Sequence, residues 1–83
     1  MNSQLPHHHH DEIAKRLKRA EGHLRSIVTM IEEGRSCLDI AQQMYAVEKA
    51  VSQAKRTLIQ DHIDHCLEDG SSLKEFKDIT KYL

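Results

Sequence analysis

Tryptophan is absent from this chain, and one phenylalanine and two tyrosines are the only aromatic residues among its 83. With 39% hydrophobic residues, that supply fits one small domain with a thin core, of the size that usually gains stability from oligomerisation, metals or disulfides. So little material leaves no room for an enzyme's cleft, and no nucleophile with a base and an orienter stands out. Cysteine occurs twice, too rarely for a disulfide scaffold, so in a reducing compartment Cys37 and Cys66 are metal ligands, redox groups or plain buried side chains. No run approaches the roughly 18 apolar residues of a membrane span, and the N-terminus lacks the apolar core of a signal peptide, so a cytoplasmic location is expected.

Proline occurs once, at Pro6, and no glycine interrupts residues 36 to 69. The opening MNSQLPHHHH has no apolar period and reads as a flexible arm over residues 1–10, native or part of an expression tag. Residues 11–83 read as one helical domain. From Asp11 the apolar residues Ile13, Leu17, Ala20, Leu24, Ile27 and Ile31 are spaced 4, 3, 4, 3, 4, which predicts a helix that starts near Asp11 and Glu12 and ends at Gly34. Ile40, Met44, Val47, Val51, Ala54 and Leu58 repeat that spacing and continue toward Ile63, predicting a helix of about 30 residues, roughly 45 Å long. After Gly70, Ser71 and Ser72 offer caps for a short last helix with Leu73, Phe76, Ile79 and Leu83. No period-2 alternation occurs. The expected fold is all-α, and its long middle helix needs a partner chain to cover its stripe.

The formal net charge of −1 hides a polar distribution. Lys15, Arg16, Lys18, Arg19 and Arg25 are opposed in their segment by Glu21 alone, whereas residues 61–83 carry six acids against three lysines. A basic end of this kind suits a polyanionic partner, and Lys49, Lys55 and Arg56 widen the patch if they share its surface. The bland reading is a solvated outer helix face.

Cys37 opens the long helix, and His62 and Cys66 lie one turn apart near its end, the spacing at which two side chains share a metal ion. On a straight helix Cys37 and His62 are about 37 Å apart and cannot join one site within a chain. Two antiparallel copies would bring Cys37 of one to His62 and Cys66 of the other, giving two equivalent sites by two-fold symmetry. Two thiolates and an imidazole suit trigonal Cu(I); a fourth ligand from His65 or the histidine arm favours tetrahedral Zn(II) or tetragonal Ni(II). Thiolates at such an interface also suit sensing of oxidants or persulfides.

The segments RLKRAEGHLRSIVTMIEEGRSC, CLDIAQQMYAVEKAV and DHIDHC, over about residues 13 to 67, resemble the small helical repressors of the CsoR, RcnR and FrmR family. RLKRAEGHL looks like that family's RLxRIxGQ, with His23 where Gln is usual. The resemblance implies a three-helix protomer, an antiparallel dimer that pairs into a tetramer, and a repressor that leaves its operator DNA when its inducer binds. It implies DNA binding by basic residues on a flat face, and the residues expected to contact phosphates are Lys15, Arg16, Lys18 and Arg19, with help from Arg25, Lys49, Lys55 and Arg56. Cys37, His62 and Cys66 look like the copper-sensing pattern, with Cu(I) as ligand; Ni(II), Co(II) or Zn(II) with extra ligands such as His7, or persulfide or formaldehyde chemistry, are the alternatives. Copper sensors often place Tyr before the first Cys and a Glu in the last helix. Here Ser36 precedes Cys37 and the last helix ends KDITKYL, so any coupling of site to DNA is expected to run through other residues, His65 among them.

Overall fold

A computed structural model of the chain describes residues 9–69 and 73–83, and of residues 66–69 the backbone alone. Three helices follow one another, α1 (His10–Glu32), α2 (Cys37–Asp69) and α3 (Leu73–Thr80), with no strand among the described residues. This is the expected all-α protomer with a long central helix. The caps expected at Ser71 and Ser72, and the arm residue His7, lie outside the described residues.

The connection from α1 to α2 is built by two local devices. Gly34 takes φ +72°, a left-handed conformation that glycine adopts without a Cβ penalty. There the Arg35 N–H donates to the Met30 carbonyl at 3.0 Å and the Gly34 N–H to that of Ile31 at 3.1 Å. These are the paired bonds of a Schellman ending, which satisfy carbonyls that the last turn leaves open. Two residues on, the Ser36 hydroxyl accepts the Asp39 N–H at 3.1 Å, so Ser36 is the N-cap of α2 and Cys37 its first residue. Replacing Ser36 with Ala should lower stability by about 1 kcal/mol, read as a shift in the thermal midpoint.

The two long helices run antiparallel, as their pairings show: His9 meets Asp61, and His23 meets Gln43. The seam follows one heptad position of each. Ile13, Ala20 and Ile27 are buried on α1, and Val47, Ala54 and Asp61 on α2, with Ile40 packed against the cluster. The small side chains Ala20 and Ala54 sit on this line, both buried. The other half of each predicted stripe stays open: Leu17, Leu24 and Ile31 on α1 and Met44, Val51 and Leu58 on α2 are all exposed. Leu58, which the period favours, is 39% exposed while its neighbour Ile59 is 2% exposed. The particle is correspondingly thin, with principal extents of 52 × 28 × 13 Å.

Residues of α2 beyond Asp61 pass the start of α1. They carry His62, His65 and Cys66, and α3 folds back against that end, with Glu75 reaching His62. Among the described residues, α3 alone accompanies this overhang of α2.

Candidate functional site

The Ser36 cap and the glycine turn place Cys37 at the tip of the hairpin, where its thiol is free and exposed. His62 stands at the opposite end of α2, mostly covered, with 19% of its side chain exposed. Its Nε2 is buried without a hydrogen bond and lies 3.6 Å from Oε2 of Glu75. A carboxylate beside Nε2 favours the tautomer with hydrogen there, which leaves Nδ1 as the nitrogen with a free lone pair, the arrangement by which carboxylates orient metal-binding imidazoles. His65, half-buried, follows one turn later. No group of three His, Cys, Asp or Glu side chains comes together as a metal cage among the described residues, from which the Cys66 side chain is left out.

Glu75 is a group that the sequence reading passed over. The Glu expected in the last helix is absent from its closing KDITKYL, and the acid that approaches His62 lies in the first turn of α3. Its signal was the position of Glu75 three residues after the expected Ser72 cap, which places it on the turn nearest the end of α2.

His9, expected with the other arm histidines to reach the metal site, instead meets Asp61. Its N–H donates to Asp61 Oδ2 at 3.4 Å, and its Nδ1 lies 3.5 Å from Oδ1. Burial alone would push the Asp61 carboxyl up. The hydrogen bonds from the backbone and ring of His9, with the attraction of His9 and His10, outweigh burial and hold it below the ordinary carboxylate range. Asp61 is 4% exposed, and it fastens the start of α1 to the residue just before His62. The histidine tract thus enters the fold through His9, and α1 begins at His10, one residue before the start expected at Asp11.

Of the basic residues, Arg16 is half-buried, while Lys15, Lys18, Arg19, Arg25, Lys49, Lys55 and Arg56 are exposed. The structure brings Arg16 and Arg19 together with His23 on one side of a 420 Å³ cleft whose other side is α2 at Ala50 and Gln53. Arg56 lines a separate cleft of 280 Å³ with His9 and Asp61. Lys49 lies over the Tyr45 ring, 5.6 Å from its centroid, a cation–π contact. Arg16 also meets Glu12 at 3.2 Å, an exposed pair of the kind that contributes little to stability. No helix among the described residues is long and apolar enough to cross a membrane.

Residues 9–83 match the family described as metal-sensitive transcriptional repressor. A copper-sensing transcriptional repressor CsoR of Bacillus subtilis is 44% identical over 60 residues, which cover 72% of this chain and 59% of that protein. The copper-sensing transcriptional repressor RicR of Mycobacterium tuberculosis is 42% identical over 57 residues, 69% of this chain and 59% of its own. A copper-sensing CsoR of Mycobacterium bovis is 32% identical over 74 residues, 81% of this chain and 62% of its own. The chain thus spans about three fifths of the length of these relatives. No solved structure matches it significantly.

Proposed function

We propose, from the premise that this chain belongs to the metal-sensitive transcriptional repressor family, that it is a DNA-binding repressor whose inducer is Cu(I). The observation that carries the reading is the position of the donors: an exposed thiol at one end of α2 and an oriented, mostly covered imidazole at the other. The set Cys37, His62 and Cys66 fits a soft cation, and the buried Nε2 of His62 beside Glu75 is what a ligand imidazole needs at its far nitrogen. Cys37 of one chain with His62 and Cys66 of another would hold Cu(I), which would supply a soft Lewis-acidic centre there.

The chain's own residues set the rest. Leu17, Leu24, Ile31, Met44, Val51 and Leu58 present apolar faces to an antiparallel second copy, which sets Cys37 of one protomer against His62 and Cys66 of its partner. Pairs of such dimers make the tetramer. Glu75 approaches the His62 ring from α3, which places α3 beside the metal site. His65 and the arm residue His7 are candidates for supporting or additional ligands, and a set enlarged in this way would suit Ni(II), Co(II) or Zn(II). Asp61, next to His62 and bonded to His9, links the same end to the start of α1, the helix that carries Lys15, Arg16, Lys18 and Arg19. Arg25, Lys49, Lys55 and Arg56 complete the phosphate-binding surface. Occupancy of the site and of DNA then oppose one another reciprocally, with a coupling of about 1 to 3 kcal/mol.

The test is an anaerobic titration of the reduced protein, bound to operator-bearing duplex, with Cu(I) and separately with Ni(II). Release of duplex at one Cu(I) per protomer supports the reading; release by neither metal, with ready reaction of the thiols with persulfide or formaldehyde, replaces the inducer by a reactive small molecule. On the DNA side, Arg16→Ala should weaken duplex binding and flatten the slope of log affinity against log salt by about 1 for each Arg16 engaged. An unchanged slope removes Arg16 from the phosphate contacts.

A further inference from the structure

The cleft between α1 and α2 has a construction that a solvated basic face does not need. Arg16, Arg19 and His23 fall at i, i+3 and i+7 on α1, so they share one side of the helix. They line a 420 Å³ space that Ala20, Val47 and Ala50 keep open by contributing short side chains. The lining from α2, Val47, Ala50 and Gln53, carries no charge, so the ionisable groups facing the space are the two arginines and the histidine, with Glu12 alongside on Arg16.

His23 is not free to turn. Its ring donates from Nε2 to Oε1 of Gln43 on α2, at 2.6 Å, since an amide oxygen can only accept. In the neutral ring this leaves Nδ1 as an acceptor, which would repel a phosphate oxygen. Only the imidazolium donates from both nitrogens at once. An anion contacted by His23 while the Gln43 bond stands therefore requires a proton, taken from solvent, on Nδ1.

We infer that this cleft is a discrete phosphate site in which Arg16, Arg19 and a His23 locked by Gln43 receive one phosphate group, with uptake of a proton at His23. The inference deepens the DNA-binding reading and rests on it for the source: a backbone phosphodiester of DNA. Free inorganic phosphate has the same chemistry and is the other source. The site makes DNA affinity depend on pH through a residue remote from Cys37 and His62, and it gives each protomer one phosphate contact that exists only when the ring is charged.

The experiment uses the reduced, metal-free full chain. Binding of a labelled mixed-sequence duplex is measured by anisotropy over a range of salt at about pH 6 and about pH 8, where a histidine changes charge, for the wild type, His23→Gln and Arg19→Ala. Glutamine keeps a donor for Gln43 but cannot take the charge, and circular dichroism checks that each variant keeps its helices. In the wild type, the salt slope should steepen at the lower pH by about 0.9 for each His23 engaged, so a fourfold rise in salt costs about 3-fold more affinity per contact. His23→Gln should lose that increment, and Arg19→Ala should weaken binding at both pH values. Equal pH responses in wild type and His23→Gln overturn the DNA contact. In parallel, inorganic phosphate is titrated while the His23 ring resonances are followed by NMR. If phosphate moves them in the wild type but not in Arg19→Ala, and the duplex shows no His23 dependence, the site holds with free phosphate as its source. If neither duplex nor phosphate moves them, the site is refuted. Failure of all variants and the wild type to bind duplex, with phosphate still shifting His23, refutes the DNA-binding reading while leaving the site standing.

Discussion

Replacing Cys37 with Ala should leave duplex binding intact and abolish the response to Cu(I). The side chain is exposed at the first position of α2 and contributes to no buried cluster, so its removal opens no cavity. The backbone there is held by the Ser36 cap and the Gly34 ending, neither of which involves the thiol. Metal affinity should fall by more than the roughly 10–100-fold that loss of a group beside a ligand costs, because a ligand itself is lost. His62→Ala should do the same from the other end of α2, whereas Glu75→Gln should fall within that 10–100-fold range. The measurements are chelator competition for Cu(I) affinity and anisotropy for duplex release. A Cys37→Ala protein that releases DNA normally on Cu(I) addition would remove Cys37 from the site; one that cannot bind duplex would make the thiol structural.

Introducing Glu at both Val51 and Leu58 should have an equally large effect on assembly. The two residues lie a heptad apart on the open side of α2, 41% and 39% exposed in the single chain. In an antiparallel dimer both would face their counterparts, so the substitution buries like charges against apolar surface from two chains at once. Sedimentation should show monomers for this variant and dimers or larger species for the wild type. The metal site should vanish with them, since Cys37 can no longer meet His62. Retention of the wild-type mass would place the subunit contact elsewhere on the molecule.

Much of this was legible before any coordinates. The 4, 3 spacing of Ile13 through Ile31 and of Ile40 through Leu58 gave helix type and extent, and the glycine-free run fixed the length of α2. Periodicity could not divide the stripe. Ile13, Ala20 and Ile27 are buried while Leu17, Leu24 and Ile31 are exposed, although both sets fit one heptad pattern. The division depends on which line of each helix meets the other helix, and that is a property of the pair. For the site, the separation of Cys37 from His62 followed from helical rise alone. The roles of His9, His23 and Glu75 did not, because each depends on a partner on another helix: Asp61 is 52 positions from His9, and Gln43 is 20 from His23. Pattern reading ranks residues along one element and is silent on what a neighbouring element brings to them.

The 13 Å thickness of the protomer bears on how its stability responds to dilution. One heptad line of each long helix faces inward and the other outward, so in the proposed dimer the same repeat would write two contacts with different laws. Damage to the inner line, as at Ile27 or Val47, lowers the melting temperature equally at every protein concentration. If the outer line is the subunit contact proposed above, its intact form makes melting depend on concentration by mass action, and damage there is partly masked when the protein is abundant. A protein assembled as proposed would be most sensitive to defects in its outer line when few copies are present.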